Sequence, residues 1–238
     1  MGCKNLEILA LGGNFIGEVI PNDILTTPSS SGFQNLRLLS LRYCNLRGEV
    51  PRWLSMLKNL QVLLLNGNKL GGPLPGWLGS FPKLFTLNLS GNLITGEIPA
   101  SLSKLKALAF EFPMIAESDR DLALPIFFTA SVAHPDDRQY KRLTRFPRTI
   151  ILSNNLLVGR IPNDISRLSS LERLNLSWNH LTGGIPESLE GLNFLRELDV
   201  SFNDLEGPVP GGTQLGSFSI SAYEGNRRLC GAPLPDPC

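Results

Sequence analysis

Residues 36–59 read "LRLLSLRYCNLRGEVPRWLSMLKN" and residues 60–83 read "LQVLLLNGNKLGGPLPGWLGSFPK". The second stretch repeats the frame of the first. Leu36, Leu39, Leu41, Cys44, Leu46, Gly48, Val50, Pro51, Leu54 and Leu57 mark the frame. It restarts at Leu60 with Asn68, Gly72 and Pro75, and again at Leu84 with Asn92, Gly96 and Pro99, a constant spacing of 24 residues. Further on it resumes at Pro147, Leu171 and Leu195, with Asn155, Asn179 and Asn203 in the asparagine slot. A partial copy opens the chain at Leu6, Leu9, Leu11 and Asn14. Four copies precede the interruption and three follow it.

A fixed period of this length with Asn, Gly and Pro at set offsets has no reason to occur in a helix bundle; it is the signature of a leucine-rich repeat. In each copy LxxLxL forms a short strand whose leucines point into the solenoid, while the residues between them face outward on the concave side. The slot asparagine bonds backbone groups that would otherwise be buried unpaired, and Cys44 occupies the same slot. Gly48, Gly96, Gly159, Gly183 and Gly207 allow a tight turn, and the proline after it stops that segment from becoming an inner strand. The predicted fold is an α/β-type solenoid of the plant-specific repeat, with short parallel strands on the concave face and irregular or 3-10 convex segments. Repeats cover 1–108 and 147–210, an island covers 109–146, and a C-terminal cap covers 211–238.

A net charge of +1 gives no basic footprint for nucleic acid. No apolar run reaches the ~18 residues of a membrane helix. Met1 leads straight into a repeat without a secretory leader or a polar N-terminal cap, so the sequence reads as the C-terminal part of something longer. Cys230 and Cys238 directly follow the last repeat, where a disulfide loop closes the open end of the core; a zinc site would lack further ligands. Cys44 reads as a buried thiol, and the state of Cys3 is open. Asn88 and Asn175, each in "NLS", are glycosylation sequons.

Catalysis is not expected, and neither a metal nor a cofactor. Of the two histidines, His180 falls in a repeat turn and His134 in the interruption, and Asp136 and Asp137, being adjacent, do not form a facing acid–base pair. Phosphate loops, kinase signatures and nucleophile elbows are absent. Binding is the expected activity. The variable strand positions place Arg37, Arg42, Tyr43, Phe85, Thr86, Arg148, Thr149, Arg173, Trp178, Arg196, Glu197 and Phe202 on the concave side. Trp178 and Phe202 are of a type enriched at binding hot spots, or they simply pack on neighbours.

The interruption "AFEFPMIAESDRDLALPIFFTASVAHPDDRQYKRLTRFP" at 109–147 is too apolar for a disordered linker. The run "LALPIFFTASVA" is expected to fold back on the concave face and leave an open strand edge. Alternation over Thr129, Ala130, Ser131, Val132 and Ala133 places the strand there. Arg138, Lys141, Arg142, Arg145 and Arg148 beside it suit an extended anionic peptide that adds to the edge, or else form a solvated basic turn.

The repeats "GEIP", "GRIP" and "GGIP", the island with Gln139 and Tyr140, "FPRTI" at 146–150 and the ending "YEGNRRLCGAPLPDPC" together resemble the C-terminal ectodomain of plant receptor kinases for tyrosine-sulfated peptides. This group comprises the phytosulfokine and sulfated-glycopeptide receptors. The resemblance implies that the island pairs as a strand with a secreted sulfated peptide. It also implies that a leucine-rich repeat co-receptor kinase docks near the C-terminal end, which places it around Trp178 and Phe202. Thr129–Ala133 would then pair with the peptide, and Arg138, Lys141 and Arg142 would hold its sulfate. The location implied is the outer side of the plasma membrane, reached through parts of a longer chain. The rival readings are a defence protein binding a microbial ligand, an inhibitor of a cell-wall-degrading enzyme, and a remnant without partners.

Overall fold

The computed structural model describes residues 5–15, 17–21, 33–109, 123–128, 140–212 and 214–238. Seven three-residue strands form one parallel sheet: Ile8–Ala10, Leu38–Ser40, Val62–Leu64, Thr86–Asn88, Thr149–Ile151, Arg173–Asn175 and Glu197–Asp199. The middle residue of each points inward. Leu39, Leu63, Leu87, Ile150, Leu174 and Leu198 all join a single core running the length of the solenoid. The first and third residues face the concave side, as the alternation of a strand requires.

The asparagine slot works as a relay between repeats. Asn179 accepts the Leu157 N–H at 3.1 Å, while its Nδ2 donates to Leu176 O of its own repeat at 3.0 Å and to Leu152 O of the preceding one at 3.1 Å. Asn68, Asn92, Asn155 and Asn203 repeat these contacts, and Asn226 carries the same pattern into the cap. Buried backbone groups at the turn are thereby paired, which would each otherwise cost roughly 1–3 kcal/mol. Cys44 fills its slot as a buried free thiol, its Sγ 3.2 Å from Arg42 O and 3.3 Å from Leu11 O.

Beyond the slot the chain forms a second parallel sheet where irregular structure was expected. Thr95–Glu97, Leu156–Gly159, His180–Gly183, Asp204–Pro208 and Arg228–Cys230 make five strands of it, and Arg47–Glu49 with Lys69–Gly71 make a separate pair. The repeat glycines therefore lie inside strands rather than in turns. Gly159 has φ +77°, and a Cβ there would come within 2.8 Å of the Glu97 side chain, which lies across it. Each proline that follows starts a 3-10 turn instead of merely ending a strand: Pro51, Pro75, Pro99, Pro162 and Pro186 are extended residues immediately before such a turn.

The solenoid continues through the interruption. Thr86–Asn88 pairs directly with Thr149–Ile151, in the same register that the neighbouring repeats use. The first leucine slot of that fifth repeat is filled by Leu108, fully buried in the core, and Pro147 is only half-buried. The inserted segment thus enters within the LxxL motif and not ahead of it. Its two ends are stitched together. Arg148 donates to Ala107 O at 3.3 Å and to Ser170 Oγ at 2.8 Å, Ser170 Oγ and N donate to Leu108 O, and Thr86 Oγ1 donates to Pro147 O at 2.6 Å. At the far end a disulfide joins Cys230 to Cys238, and Tyr223 seals the last repeat.

Candidate functional site

The part of the inserted segment that returns to the solenoid is anchored on the concave face. Leu143 and Phe146 are buried in a second apolar cluster with Leu38, Val62 and Leu64, and Leu124, Ile8, Ala10 and Phe85 pack against it. Leu38 and Val62 are both 0% exposed although they occupy outward-facing strand positions. An ordinary open concave face would leave such side chains wet. Their burial here removes from water apolar surface worth roughly 1.5–3 kcal/mol per side chain. A short 3-10 turn, Leu143–Arg145, points both anchors the same way, since residues three apart share a face.

Above this seat runs a two-stranded antiparallel sheet, Ala123–Phe128 with Tyr140–Arg142, in which Ala123 stands opposite Arg142 and Phe128 opposite Tyr140. Among the described residues each strand has the other as its sole partner, so each keeps one edge without sheet pairing. Pro125 has no N–H, which interrupts the donors of the first strand. The described strand is therefore Ala123–Phe128; Thr129, Ala130, Ser131, Val132 and Ala133, assigned this role from the sequence, lie outside the described residues. So do Arg138, His134, Asp136, Asp137 and Cys3. Lys141 has its backbone in the Tyr140–Arg142 strand, and Arg142 and Arg145 are exposed beside it.

Several residues expected on the binding face do other work. Arg148 belongs to the stitch at the base of the insertion. Arg37 is 9% exposed and donates to Gln61 Oε1 at 3.3 Å; Thr86 and Thr149 are buried, each with its hydroxyl on a backbone oxygen. The concave face of the last repeats is polar and open. Arg173 pairs with Glu197 at 3.1 Å and Asn175 donates to Asp199 at 3.1 Å.

Trp178 and Phe202 come together. Their rings stack at 4.1 Å with an 18° tilt, 57% and 37% exposed. Both hold left-handed backbone, φ +55° and +51°, at the position where other repeats use Gly67, Gly91 and Gly225. Tyr43 and Asn154 hold the same conformation at the same position of their repeats, so the left-handed turn is common to the repeats, and what distinguishes Trp178 and Phe202 is their exposed stacking.

The two sequons read differently in three dimensions. Asn88 is 6% exposed, and its Oδ1 accepts both the N–H and the hydroxyl of Ser90. Asn175 and Ser177 share that geometry, as do Asp199 and Ser201, where no sequon exists. The same turn recurs at Asp199 without a sequon, and Asn88 is buried in the folded chain. Among the described residues no group of three or more His, Cys, Asp and Glu could hold a metal, and no helix is long and apolar enough to cross a membrane.

The leucine-rich repeat profile matches residues 35–57, 59–81, 83–105 and 148–205, more than half of the chain, and passes over the insertion. The chain is 45% identical over 176 residues to Receptor-like protein 3 of Arabidopsis thaliana, covering 74% of this chain and 23% of that protein. It is 41% identical over 175 residues to Phytosulfokine receptor 2 of the same plant, covering 74% and 16%. Its fold superimposes with a TM-score of 0.67 and 25% identity on the Arabidopsis receptor kinase HAESA, solved with the peptide hormone IDA and the co-receptor SERK1, over 97% of this chain and 30% of that one. The chain spans a quarter or less of the length of these two curated relatives. With the repeat profile matching more than half of the chain and the two-sheet solenoid in agreement, the chain belongs to the leucine-rich repeat proteins.

Proposed function

We propose that the chain is the peptide-recognising part of an extracellular plant receptor, that it binds rather than catalyses, and that its ligand is an extended tyrosine-sulfated peptide. The observation that carries this reading is a two-stranded sheet whose outer edges pair with no strand among the described residues, held over the concave face by Leu124, Leu143 and Phe146. An extended peptide adds to such an edge through main-chain bonds. Arg142, with Arg138 and Lys141 nearby in sequence, supplies charge-assisted bonds to a sulfate. The stacked Trp178 and Phe202 on the C-terminal repeats offer the aromatic anchor for a leucine-rich repeat co-receptor kinase. The likeness to a phytosulfokine receptor and to a receptor solved with a peptide and a co-receptor supports both parts.

Calorimetric titration with one tyrosine-containing peptide, sulfated and unsulfated, at low and physiological salt tests the ligand. The sulfated form is expected to bind roughly tenfold tighter or more. Its advantage should shrink with salt and disappear in the triple variant Arg138→Glu, Lys141→Glu, Arg142→Glu. Equal or absent binding of both forms by a folded sample overturns the sulfopeptide reading.

A further inference from the structure

The convex side of the solenoid divides its charge unevenly. From Val50 to Ala109 the sequence holds Arg52, Lys58, Lys69, Lys83, Lys104 and Lys106 against a single acid, Glu97. Lys69 and Glu97 belong to the strands of the outer sheets. So does Glu49, which precedes the run; its side chain lies across Gly72, as that of Glu97 lies across Gly159. The convex segments 52–59, 76–83 and 100–107 are therefore left with five cations and no carboxylate. Arg52, Lys58, Lys104 and Lys106 are exposed and, among the described residues, in no ion pair, and Lys83 is half-buried. The convex turns of the next two repeats read the other way. Asp164 holds Arg167 at 3.1 Å, and Glu187 and Glu190 follow with no cation before Arg196.

The cations are ordered by the repeat. Lys58, Lys83 and Lys106 each stand within two residues of the leucine that opens the next repeat, Leu60, Leu84 and Leu108, so they form a line with one charge per repeat. Adjacent strands lie about 4.8 Å apart, which sets the step of the line. Two indoles share this side. Trp53 and Trp77 hold the same place in successive repeats, each half-buried against the core, with Trp53 Nε1 donating to Pro21 O at 3.1 Å and Trp77 edge-on to Phe81. Charge of one sign gathered on a narrow surface attracts a polyanion. A bilayer meets a convex face at few points, whereas a thread can follow it. A thread with one carboxylate on each sugar ring matches both features, its charges reaching the lysines and its ring faces the indoles. We propose that the convex side of the second to fourth repeats binds an acidic polysaccharide, a uronate polymer of the class found in plant cell walls. The proposal rests on the extracellular reading above but not on the sulfated peptide. It leaves the concave face free, so that peptide and polymer can be held at once.

Binding of the chain to immobilised polygalacturonate, followed by biolayer interferometry, is the test, with the fully methyl-esterified polymer and phosphatidylserine vesicles run beside it. The charged polymer is expected to bind, and the esterified one, which keeps the sugar and loses the charge, at least roughly tenfold more weakly. Affinity should fall roughly tenfold or more between about 50 and 200 mM salt as counterions compete. The double variant Lys58→Glu, Lys106→Glu should lose roughly tenfold or more, while Arg160→Glu, exposed on the outer sheet, should change it less than about twofold. These side chains are exposed, so the variants fold as the parent does, which circular dichroism verifies. No binding at low salt, equal binding of the esterified polymer, equal loss in Arg160→Glu, or a preference for the vesicles each overturns the proposal. Polymer binding by a chain that ignores sulfated peptides breaks only the peptide reading, and the reverse result breaks only this one.

Discussion

The two halves of the concave face use the same strand positions for opposite purposes. Before the insertion, the outward positions hold Leu38, Val62 and Leu64, which are buried beneath Leu143 and Phe146. After it, the same positions hold Arg173, Asn175, Glu197 and Asp199, paired with one another and half-buried or exposed. The repeat frame fixes the backbone equally in both. What differs is a handful of side chains, and they decide whether the face is a seat or a surface. The seat for the insertion is thus encoded roughly 80 to 105 residues upstream of the anchors it receives.

The contrast can be broken most severely at Val62. Val62→Asp buries a carboxylate without a partner, and a loss of more than about 4 kcal/mol, or complete unseating of residues 140–146, is expected in urea denaturation and proteolysis. Phe146→Ala should cost about 3 kcal/mol. It should raise amide exchange at Leu143–Phe146 while leaving Leu174 and Leu198 protected. Uniform loss of protection would instead show the two halves to be one cooperative unit.

The C-terminal half can be loosened separately through pH. Tyr223 is fully buried with its hydroxyl on Leu215 O at 2.6 Å, and burial pushes its pKa up to about 12. The unfolded side chain ionises near 10. Stability from this group is therefore complete below about pH 10 and lost as pH rises through about 12. Exchange near the cap should rise in that window, and Tyr223→Phe should flatten the dependence. The smallest effect is expected from Glu197→Ala. Glu197 is 60% exposed and its partner Arg173 24%, so thermal stability should shift by no more than about 0.5 kcal/mol while the concave face there gains one net positive charge.

The period of 24, the inward leucines and the asparagine slot were legible in the sequence because each is a local rule repeated many times. Even the entry point of the insertion was there to be read: Leu108 lies one period after Leu84. The island was accordingly placed from 109, but Pro147, which falls one period before Leu171, was given the leucine slot that Leu108 fills. The second sheet was not legible, since its short segments carry glycine and proline, the residues that ordinarily argue against strands. Nor was the seat, because Leu38, Val62 and Leu64 look like any apolar residues in a leucine-rich stretch. Only contact with Leu143 and Phe146 reveals their use. Arg148 was assigned to recognition by its charge, whereas its bonds to Ala107 and Ser170 are a matter of chain geometry. Trp178 and Phe202 were legible as a pair of exposed aromatics, but not their left-handed backbone.

The stitch of Arg148, Ala107, Leu108 and Ser170 brings the chain out of the solenoid and back in at nearly one point. A segment held that way is topologically a cassette. Its length and content can be exchanged between related proteins, or by an engineer, without altering the pitch of the coil that carries it, so long as the replacement offers two apolar side chains to the socket.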